Sequence, residues 1–147
     1  IPIKSMPGVY RYSINNLGFI VDRAIKKKIP MVALFPYTNP KVKDLLGSES
    51  LNENNLVCRA IKYIKNKYKN NIGVMCDVAL DPYTSHGHDG ILQKSKILND
   101  ETIEILAQQA VLQAEIRARN PAGPYRRSRE ENRRDRRQDG RPAALHA

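Results

Sequence analysis

Long hydrophobic runs are missing from this sequence. No apolar stretch approaches the ~18 residues that a membrane-spanning helix requires, so neither a membrane span nor a membrane partner is expected. Cysteine is scarce as well, because Cys58 and Cys76 are too few for the disulfide framework of a secreted domain. A reduced, cytoplasmic setting is therefore expected. The opening stretch from Ile1 has no basic-then-apolar targeting pattern, which favours an excerpt that lacks its natural start.

Lysine is absent from the last third of the chain, where arginine replaces it. Residues 1–116 hold 12 Lys, 3 Arg and 11 acidic residues, a net charge of +4, whereas residues 117–147 hold 10 Arg and 4 acidic residues, a net charge of +6. So abrupt a change predicts two regions: a folded body over 1–116 and a disordered basic tail over 117–147, foreign to that body. The sequence leaves open whether a frame shift, a pseudogene or a fusion produced the tail. As a basic arm for RNA or DNA it would give weak, salt-sensitive binding. Tyr125 is its one stacking residue, so nucleic acid is the less favoured partner.

Apolar residues recur at helical and at strand-like spacing in turn. One amphipathic helix is predicted behind Ser13 as N-cap, a second near Asn54 or Asn55, and a third behind Asn99. The predicted apolar face of the third helix comprises Ile103, Leu106, Ala107, Ala110, Val111 and Ala114. The apolar runs at 31–35 and 72–80 are predicted as buried strands, and residues 81–99 as a long loop. This alternation predicts an α/β fold with a parallel sheet, either an open doubly wound sheet or part of a closed (β/α)₈ barrel.

The segment from Cys76 to Gly90 is the richest in chemistry. Three aspartates, Asp77, Asp81 and Asp89, stand at or just beyond the predicted end of the second strand, with His86 and His88 beside them. In parallel α/β folds the carboxyl end of the sheet carries the active site. Carboxylates with an imidazole suit a hard or borderline divalent cation, although a solvated polar loop has the same composition by chance.

Four segments, taken in this order, resemble the porphobilinogen synthase (5-aminolevulinate dehydratase) family. They are MPGVYRYSI at 6–14, VALFP at 32–36, DVALDPYTSHGHDG at 77–90 and LNDETIEILAQQAVLQAE at 98–115. The string YTSHGH is highly specific to that family. The resemblance implies a (β/α)₈ barrel assembled as a homo-octamer, which condenses two molecules of 5-aminolevulinate to porphobilinogen with loss of two waters.

The resemblance also implies roles for residues of the aspartate-rich loop. In the zinc-dependent branch of the family, cysteines occupy the positions held here by Ala79, Asp81 and Asp89. The chain is thus similar to the magnesium-responsive branch, which implies Mg²⁺ as cofactor and Asp81, Asp89 and His88 as candidate ligands. Asp77 matches a family aspartate beside the substrate amine, and Ser85 lies in the same wall. Both are implied as supporting catalytic residues.

The resemblance ends before the lysines on which the family's chemistry depends. The family forms Schiff bases with its substrates through two lysines on later strands, whereas the last lysine here is Lys96. Lysines 26, 27, 28, 62, 65, 67 and 69 fall on predicted helix surfaces and are expected to be solvated. The sequence therefore predicts a partial TIM barrel of about two strands and three helices, belonging to a lyase but inactive alone.

Overall fold

The computed structural model describes residues 1–119, and the predictions made for the tail after residue 119 lie outside the described residues. Its elements in chain order are α1 (Ile14–Lys26), β1 (Met31–Leu34), two short 3₁₀ helices (Pro40–Val42 and Ser48–Leu51), α2 (Leu56–Tyr68), β2 (Gly73–Cys76), β3 (Ile91–Gln93), β4 (Lys96–Leu98) and α3 (Asn99–Ala118). The three predicted helices and two predicted strands are present in the predicted order, and β3 and β4 are additional to them. Among residues 1–119, no helix is long and apolar enough to cross a bilayer.

Helices α1 and α2 form where the sequence predicts them. Ser13 occupies the N-cap position of α1, although its side chain makes no capping hydrogen bond. Asn55 caps α2, because its side chain accepts a hydrogen bond from the Cys58 backbone N–H. The two helices meet where the Tyr68 hydroxyl donates to the Gly18 carbonyl at 3.0 Å. The absence of a side chain at Gly18 permits this close crossing, since a Cβ there would lie 2.6 Å from the Tyr63 hydroxyl.

Strands β1 and β2 pair in parallel, as predicted, with Met31 opposite Gly73 and Leu34 opposite Cys76. The prediction that both strands are buried is wrong for one face of the pair. Met31 and Met75 are each 49% exposed, because α1 and α2 cover only the opposite face, where Val32 and Val74 pack against the core. The second strand also ends four residues before the predicted end at Leu80. The aspartate-rich segment therefore starts immediately after it.

Helix α3 packs with a different face from the predicted one. Ile103 and Val111, from the predicted apolar stripe, are 55% and 57% exposed. The residues buried on α3 are instead Thr102, Gln109, Gln113 and Ile116. The prediction that Asn99 caps the helix is wrong, because Asn99 is its first residue and Leu98 occupies the N-cap position. The helix extends to Ala118, two residues beyond the predicted end of the folded body at 116.

The predicted loop over 81–99 contains a β-hairpin that the sequence analysis missed. Strands β3 and β4 are antiparallel, with Ile91 opposite Leu98 and Gln93 opposite Lys96. Their two-residue turn, Lys94–Ser95, has positive φ at both positions, 45° and 64°. The favoured hairpin turn of this shape carries Asn-Gly, so the usual sequence signal is absent.

The hairpin turn gives a first prediction. Replacing Lys94–Ser95 by Asn-Gly is expected to raise the free energy of unfolding by about 0.5–1 kcal/mol, because Asn and Gly adopt positive φ at lower cost than Lys and Ser. Urea denaturation followed by circular dichroism measures the change. The same pair placed at Lys26–Lys27, where no positive φ is present, serves as control and should destabilise. A loss of stability in the hairpin variant would contradict the turn described.

Candidate functional site

The loops that follow β1 and β2 meet at the carboxyl ends of both strands. Asp44 pairs with Thr84 in an isolated parallel bridge, in which the Ser85 N–H donates to the Asp44 carbonyl at 2.7 Å. The Lys43 ammonium donates to the Asp81 carbonyl at 3.3 Å. Two segments 40 residues apart, 43–47 and 80–86, thereby form one surface at the sheet edge where parallel α/β folds place their active sites.

Asp44 organises the first of these loops, and the sequence analysis did not single it out. One carboxylate oxygen accepts from the Leu46 and Ser48 backbone N–H groups, each at 3.0 Å. These bonds, that from Ser48 foremost, hold the pKa of Asp44 below its ordinary value. Gly47 follows with φ +66°, a conformation that glycine adopts without strain, and it packs against Thr84. Asx-type turn spacing, an aspartate two residues before the Leu46 amide, is the signal that would have identified this anchor.

Asp77, Asp81 and Asp89 lie in one region of the second loop, as predicted. Asp89 accepts the Leu80 backbone N–H at 2.5 Å, which folds the loop back on itself. Partial burial raises the pKa of Asp81, and the negative charges of Asp89 and Asp77 raise it further. The region therefore concentrates negative charge that a cation would relieve.

The two histidines contact one another, and backbone groups orient one of them. His86 Nδ1 accepts from the His88 N–H at 3.1 Å, so the proton of this tautomer sits on Nε2, which lies 3.3 Å from the Leu45 carbonyl. The His88 carbonyl accepts from the Thr84 hydroxyl at 2.9 Å. Gly87 provides the sharp turn between the imidazoles with φ +74°. Ser85 is exposed on the same loop.

The proposed metal ligands, Asp81, Asp89 and His88, are close in the chain but do not form a coordination group. Within residues 1–119, no three His, Cys, Asp or Glu side chains converge on one point. The donors fit a hard cation in their chemistry, since carboxylate oxygens dominate the region. Their arrangement, with Asp89 bound to the Leu80 amide, leaves the set incomplete.

Two glutamines of α3 bind the backbone of the aspartate-rich segment, and neither was identified from the sequence. Gln109 Nε2 donates to the Ala79 carbonyl at 3.2 Å, and Gln113 Nε2 donates to the Asp77 carbonyl at 3.4 Å. They lie one helical turn apart and are buried. The signal that could have found them is their i, i+4 spacing on a face that also carries Thr102 and Ile116.

Comparisons with known proteins agree with the geometry. Residues 1–121 match the model of the family described as delta-aminolevulinic acid dehydratase. The chain is 55% identical over 113 residues to the delta-aminolevulinic acid dehydratase of Bradyrhizobium diazoefficiens, covering 77% of this chain and 32% of that protein. It is 41% identical over 116 residues to that of Chlamydia pneumoniae, covering 79% of this chain and 35% of that protein. The crystal structure of porphobilinogen synthase from Toxoplasma gondii ME49, in complex with the reaction product porphobilinogen, superposes with a TM-score of 0.76 at 38% identity. That match covers 79% of this chain and 33% of the solved one. The chain thus spans about a third of the length of the relatives it matches.

Proposed function

The chain belongs to the delta-aminolevulinic acid dehydratase family, and on that premise we propose that it supplies part of the active-site face of an enzyme that condenses two 5-aminolevulinate molecules to porphobilinogen. The observation that carries the proposal is the convergence of the 43–47 and 80–86 loops at the carboxyl ends of β1 and β2. The partial TIM barrel is shared with a product-bound relative, and in TIM barrels the active site lies at this end of the strands.

Asp77 and Ser85 are proposed in supporting roles. Asp77 is the first residue after β2 and is exposed at the strand end, while its backbone carbonyl is held by Gln113. A carboxylate so placed stabilises a substrate ammonium or relays its proton. Ser85 has its backbone N–H fixed on Asp44, which leaves its hydroxyl available to bind a polar group of the substrate.

The Schiff-base chemistry is proposed to require lysines that this chain does not carry. Imine formation needs an amine whose pKa is depressed by a dry pocket. At the candidate face the structure offers Lys43, whose ammonium is already bound to the Asp81 carbonyl. Lys65 is buried with a lowered pKa, yet it lies at the end of α2 and donates to backbone carbonyls there. We therefore propose that the chain alone has no turnover.

A chimera tests the proposed function. The chain alone is expected to form no porphobilinogen, whereas the Bradyrhizobium diazoefficiens enzyme carrying this chain's matched stretch in place of its own should be active. In that chimera Asp77→Asn should lower kcat by about 100-fold, the scale of a lost acid–base group. Asp22→Asn, an exposed aspartate on α1, is the matched control and should leave kcat unchanged. Turnover by the chain alone, or an imine trapped by borohydride on any of its lysines, would overturn the proposal.

Enzymes of this family depend on a metal ion, and for this chain we propose Mg²⁺ rather than a thiolate-bound zinc. Asp81 and Asp89 are the carboxylates proposed to hold it, with His88 nearby. Burial raises the pKa of Asp81 and repulsion from Asp89 raises it further, and a cation between the two carboxylates would relieve both. Neither cysteine is suited to zinc, because burial raises the pKa of Cys58 and raises the pKa of Cys76 to about 11.

The thiols provide the corresponding prediction. Alkylation of Cys76 by iodoacetamide at pH 7.5 is expected to be on the order of 100-fold slower than that of a free cysteine, because only the thiolate reacts. The rate should rise about tenfold per pH unit up to pH ~10 and should be unaffected by equimolar Zn²⁺. Alkylation in urea, where burial is lost, is the control. Protection of either cysteine by zinc in the folded chain would count against the magnesium assignment.

Location and assembly are two further proposals for this chain. We propose a cytoplasmic location, supported by the free cysteines, while several relatives are named as chloroplastic. The homo-octamer is proposed for a full-length protein that includes this segment.

A further inference from the structure

We propose that Gln109 and Gln113 are positioning residues for Asp89 and Asp77. Gln109 holds the Ala79–Leu80 peptide that binds Asp89, and Gln113 holds the backbone carbonyl of Asp77 itself. This inference rests on the proposed function for its meaning, but its geometry stands on the contacts of the chain itself. Each glutamine acts from α3 through the backbone of the 77–80 segment.

The Ala79–Leu80 peptide is hydrogen-bonded to side chains at both its carbonyl and its N–H. Its carbonyl accepts from Gln109 Nε2 at 3.2 Å, and its N–H donates to the Asp89 carboxylate at 2.5 Å. Because a peptide unit is planar, rotating one of these groups rotates the other. Gln109 therefore fixes the orientation of the Leu80 N–H that binds Asp89, and it does so through the peptide rather than through a hydrogen bond to Asp89 itself.

The Asp77–Val78 peptide is held on its carbonyl side by the glutamine one turn further along α3. Gln113 Nε2 donates to the Asp77 carbonyl at 3.4 Å, a longer bond than that of Gln109. The i, i+4 spacing of the two glutamines matches the advance of the backbone from Asp77 to Ala79. The longer bond predicts a weaker hold on Asp77 than on Asp89.

The cost of burying Gln109 argues that its role is positional. The side chain is fully buried, and its Oε1 has no hydrogen-bond partner among the described residues. A buried acceptor without a partner destabilises a fold, and an apolar side chain of the same shape would avoid that cost. The gain from the hydrogen bond to the Ala79 carbonyl is therefore offset by the unpartnered Oε1, so the amide adds little net stability while it specifies where that carbonyl lies.

Hydrogen exchange on the full chain tests the proposal at the Leu80 amide, followed by NMR in three single variants. Gln109→Met keeps the shape of the side chain and removes the donor, Gln113→Met does the same one turn later, and Gln108→Met alters an exposed glutamine of the same helix. In Gln109→Met the Leu80 amide is expected to exchange about tenfold faster. The urea midpoint should change little, because loss of the donor to the Ala79 carbonyl is offset by removal of the buried Oε1 that has no partner. Gln113→Met should affect Leu80 less, and Gln108→Met not at all.

Several results would overturn the assignment. Unchanged Leu80 exchange in Gln109→Met would do so, and so would an equal increase in Gln108→Met or a wild-type chain without Leu80 protection. Loss of the fold in Gln109→Met would show a structural role instead. In the chimera, Gln109→Met should lower kcat with little change in KM, because it displaces a group without removing a binding contact. An inactive wild-type chimera would refute the proposed function, while the exchange result on the chain would still decide this inference.

Discussion

Asn55→Ala is expected to lower the free energy of unfolding by about 2–4 kcal/mol. The side chain is 1% exposed and makes three hydrogen bonds: its Oδ1 accepts from the Cys58 N–H at 2.8 Å, and its Nδ2 donates to the Glu49 and Ser50 carbonyls at 3.2 Å each. Loss of an N-cap costs about 1 kcal/mol, and buried carbonyls left without a donor add about 1–3 kcal/mol. Urea denaturation monitored at the helical circular dichroism signal measures the change.

The neighbouring asparagine provides the matched control. Asn54 is exposed, and the Lys62 ammonium lies 3.5 Å from its Oδ1, so Asn54→Ala should change stability by less than about 0.5 kcal/mol. Asn55→Asp should fall between the two, because it keeps the acceptor for Cys58 and loses the donor for the two carbonyls. Equal effects of the alanine substitutions at 54 and 55 would refute the role assigned to Asn55.

The same cap shows why α1, β1, α2 and β2 could be predicted from sequence. Each is specified by local features. The helices have apolar residues one turn apart, with Ser13 ahead of α1 and Asn55 ahead of α2, and the strands are short apolar runs. These act over fewer than ten residues, so they need no knowledge of the tertiary neighbours. The pairing of β1 with β2 then followed from their alternation with helices.

The orientation of α3 could not be obtained in this way. The helix carries an apolar stripe through Ile103 and Val111 and a second face through Gln109 and Gln113. Periodicity identifies the stripe but not which face meets the body of the chain. That choice follows from the Asp77 and Ala79 carbonyls, which need donors where α3 crosses them, and an apolar face supplies none.

The candidate site was predictable in its residue types and not in its contacts. The aspartates and histidines of the 77–90 segment were identified because their position after a strand is visible in the sequence. The partnership of Lys43 and Asp44 with this segment joins residues about 40 positions apart, which no local pattern encodes. The hairpin was missed for a related reason: its turn lacks the glycine that signals positive φ.

Lys65 is the second residue at which a large effect is expected, and the prediction that it is solvated is wrong. It is 8% exposed at the end of α2, and its ammonium donates to the Ile72 carbonyl at 2.8 Å and to the Lys69 carbonyl at 3.3 Å. Burial, and secondarily the charge of Arg117, lowers its pKa. Two physical terms therefore oppose each other, the cost of a desolvated charge and the gain from two hydrogen bonds.

Lys65→Met is expected to destabilise the chain by about 1–3 kcal/mol at pH 7, because each unpaired buried carbonyl costs more than the removed charge returns. Lys67→Met is the control, since Lys67 is half exposed and 3.7 Å from Asp22. An exposed pair of this kind contributes less than about 1 kcal/mol. Chemical denaturation of both variants beside the wild type measures the difference.

The pH dependence separates the two terms at Lys65. Its pKa in the folded chain lies below the unfolded value of 10.5, so between those two values the unfolded chain binds more protons and the stability of the wild type rises with pH. The neutral amine keeps two N–H groups, enough for both carbonyls. Stability lost in Lys65→Met should therefore be larger at pH 10 than at pH 7, whereas Lys67→Met should show no such increase. A difference between wild type and Lys65→Met that stays constant over this range would mean that the ammonium is not desolvated in the folded chain.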